Sequence, residues 1–464
     1  MNKEYDVIII GAGMSALAAG IRLAYYDKKV LLCEKHAIAG GLNSYYRRKG
    51  RIMDVGLHAM TNFVSPKNRM APLNKLLRQL KLKWNNLELV EQKNSVIRFP
   101  DISLRFTNDV EFIINEVAEK MPSQADGFRK LVKFIESYDA LALDEDKFQS
   151  TREVLANYIT EPLLIEMLMC PLMYYGSAWE DDMDFSQFAI MFRSILLEGF
   201  CRPYDGVIRI INMLTDKFKE NGGEVRYRAG IEKILIANNK ACGVRLSNGE
   251  EIKAKKVLSS AGICETQKLI VDNISPVNHN PGHMAFTEVI IYLDKYLSEF
   301  DYKDTIMFYN LTDTFKYKMP SELISLESGV ICSPDNFAYD PNGSKRPDPI
   351  LRITNIANYK LWENLSKDEY KTSKEIWLDN ILKNASKLVP LDKVSIEYSD
   401  MFTPNTVKRY TGHINGTVYG SPEKIKDGRT NIENLYICGT DQGFLGIVGA
   451  MLSGVSMANL HCLQ

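Results

Sequence analysis

The first strongly patterned segment of the chain is DVIIIGAGMSALAAG, Asp6 to Gly20, in which an unbroken apolar run gives way to a glycine turn and then to small and apolar residues. The pattern predicts a buried strand Tyr5 to Ile10, a helix Met14 to Tyr26 and a second strand Val30 to Glu34. From about Ala71 to Cys201 the periodicity changes: LNKLLRQLKL, VEFIINEVAEKM and FRKLVKFIESYDALAL repeat apolar residues every three or four positions, which marks amphipathic helices. Alternation returns over Gly222 to Gly262, with hairpins turned at Asn238–Asn239 and Asn248–Gly249 and a closing strand Lys256 to Ser260. A second departure, about Glu265 to Asp400, mixes the strand-like HMAFTEVIIYL and ILRITNIA with a helix near Lys371 to Leu388, and Ser333 to Pro349 reads as a surface loop. Finally LYICGTDQGFLGIVGAMLSGVSMAN, Leu435 to Asn459, repeats the strand, turn and helix of the first segment.

The chemistry sits in the two glycine turns. Gly11 permits a tight turn, Gly13 lets backbone approach a phosphate, and the small Ala16 lets the helix pack on the strand. A helix amino end placed there attracts a pyrophosphate. Glu34, about twenty residues on, is positioned to accept hydrogen bonds from a ribose diol and would repel a 2'-phosphate, which disfavours NADP. One such motif indicates a dinucleotide; two, from distant parts of the chain, indicate a flavin, FAD.

Composition narrows the classes. The 464 residues allow two or three domains, and the 45% hydrophobic and 25% charged fractions are ordinary for a globular protein. A formal net charge of -1 supplies no basic field for nucleic acid. The eight cysteines are scattered without a CxxC pair, which argues against a structural zinc or other metal site and against a disulfide framework. The first strand starts too early for a signal peptide, and Tyr158 to Tyr175 is interrupted by Glu161, Pro162, Glu166 and Pro171. A cytoplasmic address follows, with any membrane contact peripheral.

Gly40 and Gly41 follow Glu34 and Lys35, and RIMDVGLH, Arg51 to His58, comes next. This arrangement resembles the FAD-dependent oxidoreductases that include phytoene desaturases, carotenoid isomerases and retinol saturases, in which a GG doublet lies along the cofactor and a D-x-G-x-H segment follows. Asp54, Gly56 and His58 match that segment. Arg202 to Ile234 is similar to the part of the family carrying a Pro-x-Gly-Gly turn, here reduced to Asp205 and Gly206, and a later strand on the adenine side. TPNTVKRYTGHINGTVYG, Thr403 to Gly420, is similar to the isomerase and saturase branch.

The resemblance implies an α/β fold: a discontinuous Rossmann-type FAD-binding domain over 1–70, 202–264 and 401–464, a mainly helical insertion over 71–201, and a mixed α+β substrate domain over 265–400. It implies FAD contacts from Gly11, Gly13, Ala16, Glu34, Lys35, Gly40, Gly41, Leu42, Asp54, Gly56, His58, Ile231, Gly439, Asp441, Gly446, Ile447 and Val448. Asp441 would reach ribityl or pyrophosphate oxygens, and Phe444 and Leu445 would make an apolar wall at the ring. Catalytic residues stay unassigned; His58 is a candidate, with a structural role as its plainer reading.

The expected activity is desaturation, saturation or isomerisation of a long hydrophobic isoprenoid or acyl chain by hydride transfer at flavin N5. An external quinone, oxygen or other carrier would exchange the electrons. A flavin amine oxidase and a flavin-containing lipid-binding protein with degenerate catalysis are the alternatives. The Met- and aromatic-rich stretch Lys147 to Phe200 is expected to line the substrate slot, to pack as core, or to dip into lipid.

Overall fold

The computed structural model describes residues 4–139, 148–270, 279–339 and 346–464. Two seven-stranded sheets organise them. The parallel part of the first runs in the order Glu224–Arg226, Val30–Cys33, Tyr5–Ile10, Glu251–Ser259, Leu435–Ile437. Ile10 lies beside Cys33 and Ser259, and Ser259 beside Ile437, so four strands end level at one carboxyl edge. The apolar runs seen in the sequence are buried on both faces, as a parallel sheet covered by helices requires.

The two hairpins form as expected, with Asn238 and Asn239 both at positive φ in the first turn. The closing strand is longer than expected and begins at Glu251. Residues 251–253 pair antiparallel in the hairpin, and the same strand from Ala254 onward pairs in parallel with Tyr5–Ile10. The alternation EIKAKK fits the exposed hairpin and the apolar VLSS the sheet interior.

Helix Met14–Ala24 is buried on nearly every side, between Gly446–Met457 and Val207–Glu220. Two glycines allow this. A Cβ on Gly454 would stand 1.9 Å from the Ser15 carbonyl oxygen, and one on Gly20 would stand 2.9 Å from the Phe218 ring.

The second sheet has the order Ile396–Phe402, Ala285–Leu293, Ile350–Ala357, Ser328–Cys332, Ile306–Asn310, Ser95–Arg98, Ser103–Phe106. It is antiparallel except between Ile306–Asn310 and Ser95–Arg98. One face packs on the helices Val110–Lys120, Ala125–Ser137, Pro162–Gly176 and Phe185–Phe192. The other carries Lys367–Ala385, opened by a Ser366/Glu369 capping box.

Two expectations need correction, and a third is narrowed. The mainly helical block 71–201 also contributes Ser95–Arg98 and Ser103–Phe106 to this sheet, short strands overshadowed by the helical periodicity around them. Within 147–200 the core reading holds for helix Pro162–Gly176, whose Leu164, Met167, Leu168, Met169, Leu172 and Met173 are fully buried, while Lys147 lies outside the described residues. Ser333 to Pro349 is not simply a surface loop. Asn336 Nδ2 donates to the carbonyls of Tyr302 and Asp304, and Phe337 and Tyr339 are buried beside Val90; residues 340–345 lie outside the described residues.

Candidate active site

The level strand ends feed four loops into connected cavities between the sheets: Gly11–Gly13, the turn at Glu34, Ser260–Gly262 and Gly439–Asp441. Clefts at the carboxyl ends of parallel strands are where such sheets bind ligands. The inner cavity, about 240 Å³, and the outer one, about 980 Å³, share Gly41, Leu42, Val55, Phe402 and Val407 in their walls. The outer volume alone lies near the top of the range of roughly 300–1,000 Å³ for small-molecule sites.

Two helices aim bare amino ends at the inner cavity. Met14–Ala24 starts at Gly13 and Gly446–Met457 at Leu445; neither cap residue supplies a side-chain hydrogen bond, and neither first turn contains an acid. Elsewhere Asp109, Ser150, Glu161, Asp184 and Ser366 cap their helices. An α-helix leaves its first four N–H groups unpaired and carries partial positive charge at that end. Two such ends facing one cavity make it a site for a polyanion and an electron-rich ring.

Of the residues singled out in the sequence, Gly13, Gly40, Gly41, Leu42, Gly56 and His58 line the inner cavity from one side. Gly439, Asp441, Gly446 and Ile447 line it from the other. Gly40 and Gly41 both adopt positive φ, and a Cβ on Gly40 would collide with Ile211 Cδ1 at 2.8 Å. Glu34 lines the outer cavity and is held by the Ala12 and His36 N–H groups, each at 2.8 Å.

The remaining candidates do not line either cavity. Gly11, at φ 92°, is the tight turn, and a Cβ there would meet Ser260 Oγ at 2.7 Å. Ala16 and Val448 are fully buried in helix packing. Ile231 packs with the hairpin core, and Lys35 reaches the Arg409 carbonyl at 3.5 Å.

Asp54, also outside both cavity linings, ties strand and helix together. It pairs with the Arg202 guanidinium and accepts from the Val207 N–H at 3.2 Å, so it caps helix Val207–Glu220 from a distant strand. Gly206 must be glycine because a Cβ would stand 2.5 Å from that carboxylate. Asp441 likewise ties loops together: its oxygens accept from Ile263 N–H at 2.7 Å and Ser421 N–H at 2.8 Å. It keeps one edge on the cavity.

Tyr174, Tyr175, Phe286, Val418 and Tyr419 give the cavity an aromatic and apolar wall, joined by Leu445 at the start of helix Gly446–Met457. Beside it stands a polar cluster. His58 Nε2 lies 2.9 Å and 3.2 Å from the two oxygens of Glu288 and 3.1 Å from Thr354 Oγ1. Arg352 Nε donates to Glu288 Oε1 at 2.7 Å, and the Thr354 hydroxyl donates to Glu288 Oε2. Burial pushes the Glu288 carboxyl up, but Arg352 and His58 outweigh it and hold it down at about 2. Burial pushes the His58 imidazole below its ordinary range, Arg352 and Arg202 acting in the same direction and Glu288 against them.

The family model for flavin containing amine oxidoreductases matches residues 14–460. The chain belongs to that family. Prolycopene isomerase 2 of an Oncidium hybrid cultivar is 26% identical to it, covering 98% of this chain and 84% of the relative. All-trans-retinol 13,14-reductase of Danio rerio is 24% identical, covering 99% and 86%. Among solved structures, an oxidoreductase from Methanosarcina mazei superposes with a TM-score of 0.69 at 16% identity, covering 98% of this chain and all of that one, which shows the shared fold.

Membership of the family makes the chain an FAD-dependent enzyme, and the uncapped helix ends, the glycine cradle at Gly40–Gly41 and the pinned Glu34 all fit that cofactor. The sequence did not reveal Glu288, Arg352 or Thr354, nor Phe286, Val418 and Tyr419 of the wall, whereas Tyr174 and Tyr175 lie in the stretch expected to line a slot and Leu445 was expected at the ring. A signal for two of them was present: Glu288 is the lone carboxylate in the apolar strand AFTEVIIYL, and Arg352 the lone cation in ILRITNIA. A charge buried in a strand requires a partner.

Proposed function

We propose that this chain uses FAD to act on carbon-carbon double bonds of a long apolar isoprenoid. The observation that carries the reading is the composition of the inner cavity: two bare helix amino ends together with an aromatic and apolar wall of Tyr174, Tyr175, Phe286, Val418 and Tyr419, with Leu445 beside them. Near-full-length likeness to a prolycopene isomerase and a retinol reductase supports the substrate class. Bound FAD supplies hydride transfer at N5.

In this reading the Gly13–Ser15 N–H groups hold the pyrophosphate, Glu34 accepts the ribose hydroxyls, Gly40, Gly41 and Leu42 run along the chain of the cofactor, and Gly439, Gly446 and Ile447 bracket its far end. The aromatic wall excludes water and orients the polyene. Electrons pass to or from an external carrier such as a quinone or oxygen. The exposed Arg47, Arg48, Lys367 and Arg409 around the outer cavity suit the anionic surface of a membrane from which such a substrate is drawn. Among the described residues no helix is long and apolar enough to cross one.

The test is to purify the protein, record its flavin spectrum, and assay prolycopene, lycopene and all-trans-retinol alongside putrescine, with oxidised and with prereduced flavin. Isomerised, saturated or desaturated polyene is the expected product. A flavoprotein that oxidised putrescine and left every polyene untouched would overturn the reading.

A further inference from the structure

The reading above leaves a proton unassigned. Making or reducing a C=C bond moves a hydride equivalent and a proton, and only the first belongs to the cofactor.

The cluster beside the aromatic wall has the features of a proton-exchange group. His58 Nε2 faces the Glu288 carboxylate, and Glu288 already accepts from Arg352 Nε and from the Thr354 hydroxyl, so Nε2 carries the hydrogen that completes the set. In the neutral ring this leaves the lone pair on Nδ1. Among the described residues Nδ1 has no hydrogen-bond partner, and it is not one of the sealed polar atoms, so its free edge opens on the inner cavity that His58 lines.

The surroundings keep the ring neutral at rest. Glu288 comes from strand Ala285–Leu293, Arg352 and Thr354 from Ile350–Ala357, Arg202 from Cys201–Pro203 with Asp54 as its partner, Cys332 from Ser328–Cys332, and Tyr174 and Tyr175 from Pro162–Gly176. Each guanidinium has its own carboxylate. Burial holds the cysteine and both phenols protonated.

Resting on the proposed polyene reading, we infer that His58 Nδ1 exchanges a proton with a substrate carbon, and that Glu288 is the positioning residue that fixes the Nε2–H form of the ring. In the direction that makes a double bond, one carbon gives up a hydride equivalent to the flavin, whose two electrons go on to a quinone or oxygen. The neighbouring carbon gives its proton to Nδ1, and the electron pair of that C–H bond becomes the π bond. In the opposite direction Nδ1 returns the proton, and a reduced external carrier supplies the electrons.

The test uses the full flavin-loaded chain and two kinds of measurement. Nitrogen NMR of ¹⁵N-histidine-labelled protein, with His58→Asn identifying the signal, should show the Nε2–H form in wild type, retention in Glu288→Asp, and loss of its dominance in Glu288→Gln. Turnover of whichever polyene the wild type converts should fall about 10²–10⁴-fold in His58→Phe, the usual range for a lost general acid or base, with the flavin spectrum unchanged. In Glu288→Gln the acid limb of kcat/KM should move to lower pH, because the carboxylate that favours the imidazolium is gone; Glu288→Asp should restore it in part. In the saturating direction, solvent deuterium should enter the carbon next to the hydride-accepting one in wild type and not in His58→Phe.

An Nδ1–H ring in wild type, or undiminished deuterium entry in His58→Phe, overturns the inference. If wild type converts no polyene, the proposed function fails, and the NMR result still decides the tautomer.

Discussion

Glu288 stands directly opposite Thr354 on the neighbouring antiparallel strand, and Arg352, one alternate position away, reaches the same carboxylate. The period of two puts Thr354 and Arg352 on one face of the sheet, so both converge on Glu288 beneath the cavity. Breaking this buried pair by Arg352→Met should cost about 3–5 kcal/mol, since a carboxylate is left buried without its main partner. Urea unfolding of the flavin-loaded protein measures it. Arg352→Met paired with Glu288→Met should recover much of the loss.

Stability should depend on pH through two carboxyls with opposite signs. Glu288 is held at about 2 in the folded chain against 4.5 for the free group, so its contribution is full above pH 4.5 and declines as pH falls toward 2. Asp335 is raised by burial from 3.8 to about 6, so the folded chain binds the extra proton and stability declines as pH rises from about 4 to 6. Asp335→Asn should remove that second decline, and melting temperatures across pH 4–8 would show it; an unchanged slope refutes the assignment.

Two glycines separate binding from folding. At Gly13, φ is -72° and a Cβ would meet nothing within 4 Å of protein, so Gly13→Ala should fold normally and lose flavin. At Gly20 a Cβ would press on the Phe218 ring at 2.9 Å and on Leu32 at 3.0 Å, so Gly20→Ala should lower the melting temperature and keep flavin stoichiometry. Absorbance at the flavin band together with thermal unfolding distinguishes the two.

Asp54→Asn should behave as a structural lesion. It weakens the Arg202 pair and the distant cap on Val207–Glu220, costing about 3 kcal/mol or more. Flavin affinity at saturating cofactor should change little, as titration calorimetry would report.

How far the sequence reached depended on the range of the signal. The Asp6–Gly20 and Leu435–Asn459 segments were legible because each carries strand, turn and helix within a short stretch. Gly13, Gly40 and Gly41 were legible because close backbone approach demands glycine. The Asp54–Arg202 pair was not legible because Arg202 lies on a distant strand and nothing local marks a carboxylate that faces a guanidinium. The His58–Glu288–Arg352 cluster needs a strand register that no local pattern encodes. The strands Ser95–Arg98 and Ser103–Phe106 went unseen because they are short and sit in a block dominated by helical periodicity, although the alternation of SLRF was a signal for the second.

The contact of Gly454 with the Ser15 carbonyl has a kinetic meaning. Helix Met14–Ala24 and the helix that packs against it, Gly446–Met457, whose amino end opens on the same cavity, come from widely separated parts of the chain. The same holds for the strand Leu435–Ile437 that completes the parallel sheet beside Glu251–Ser259. The cavity is therefore assembled from contacts between distant stretches of chain, and the loop-closure entropy of bringing them together makes its formation a slow, non-local step of folding.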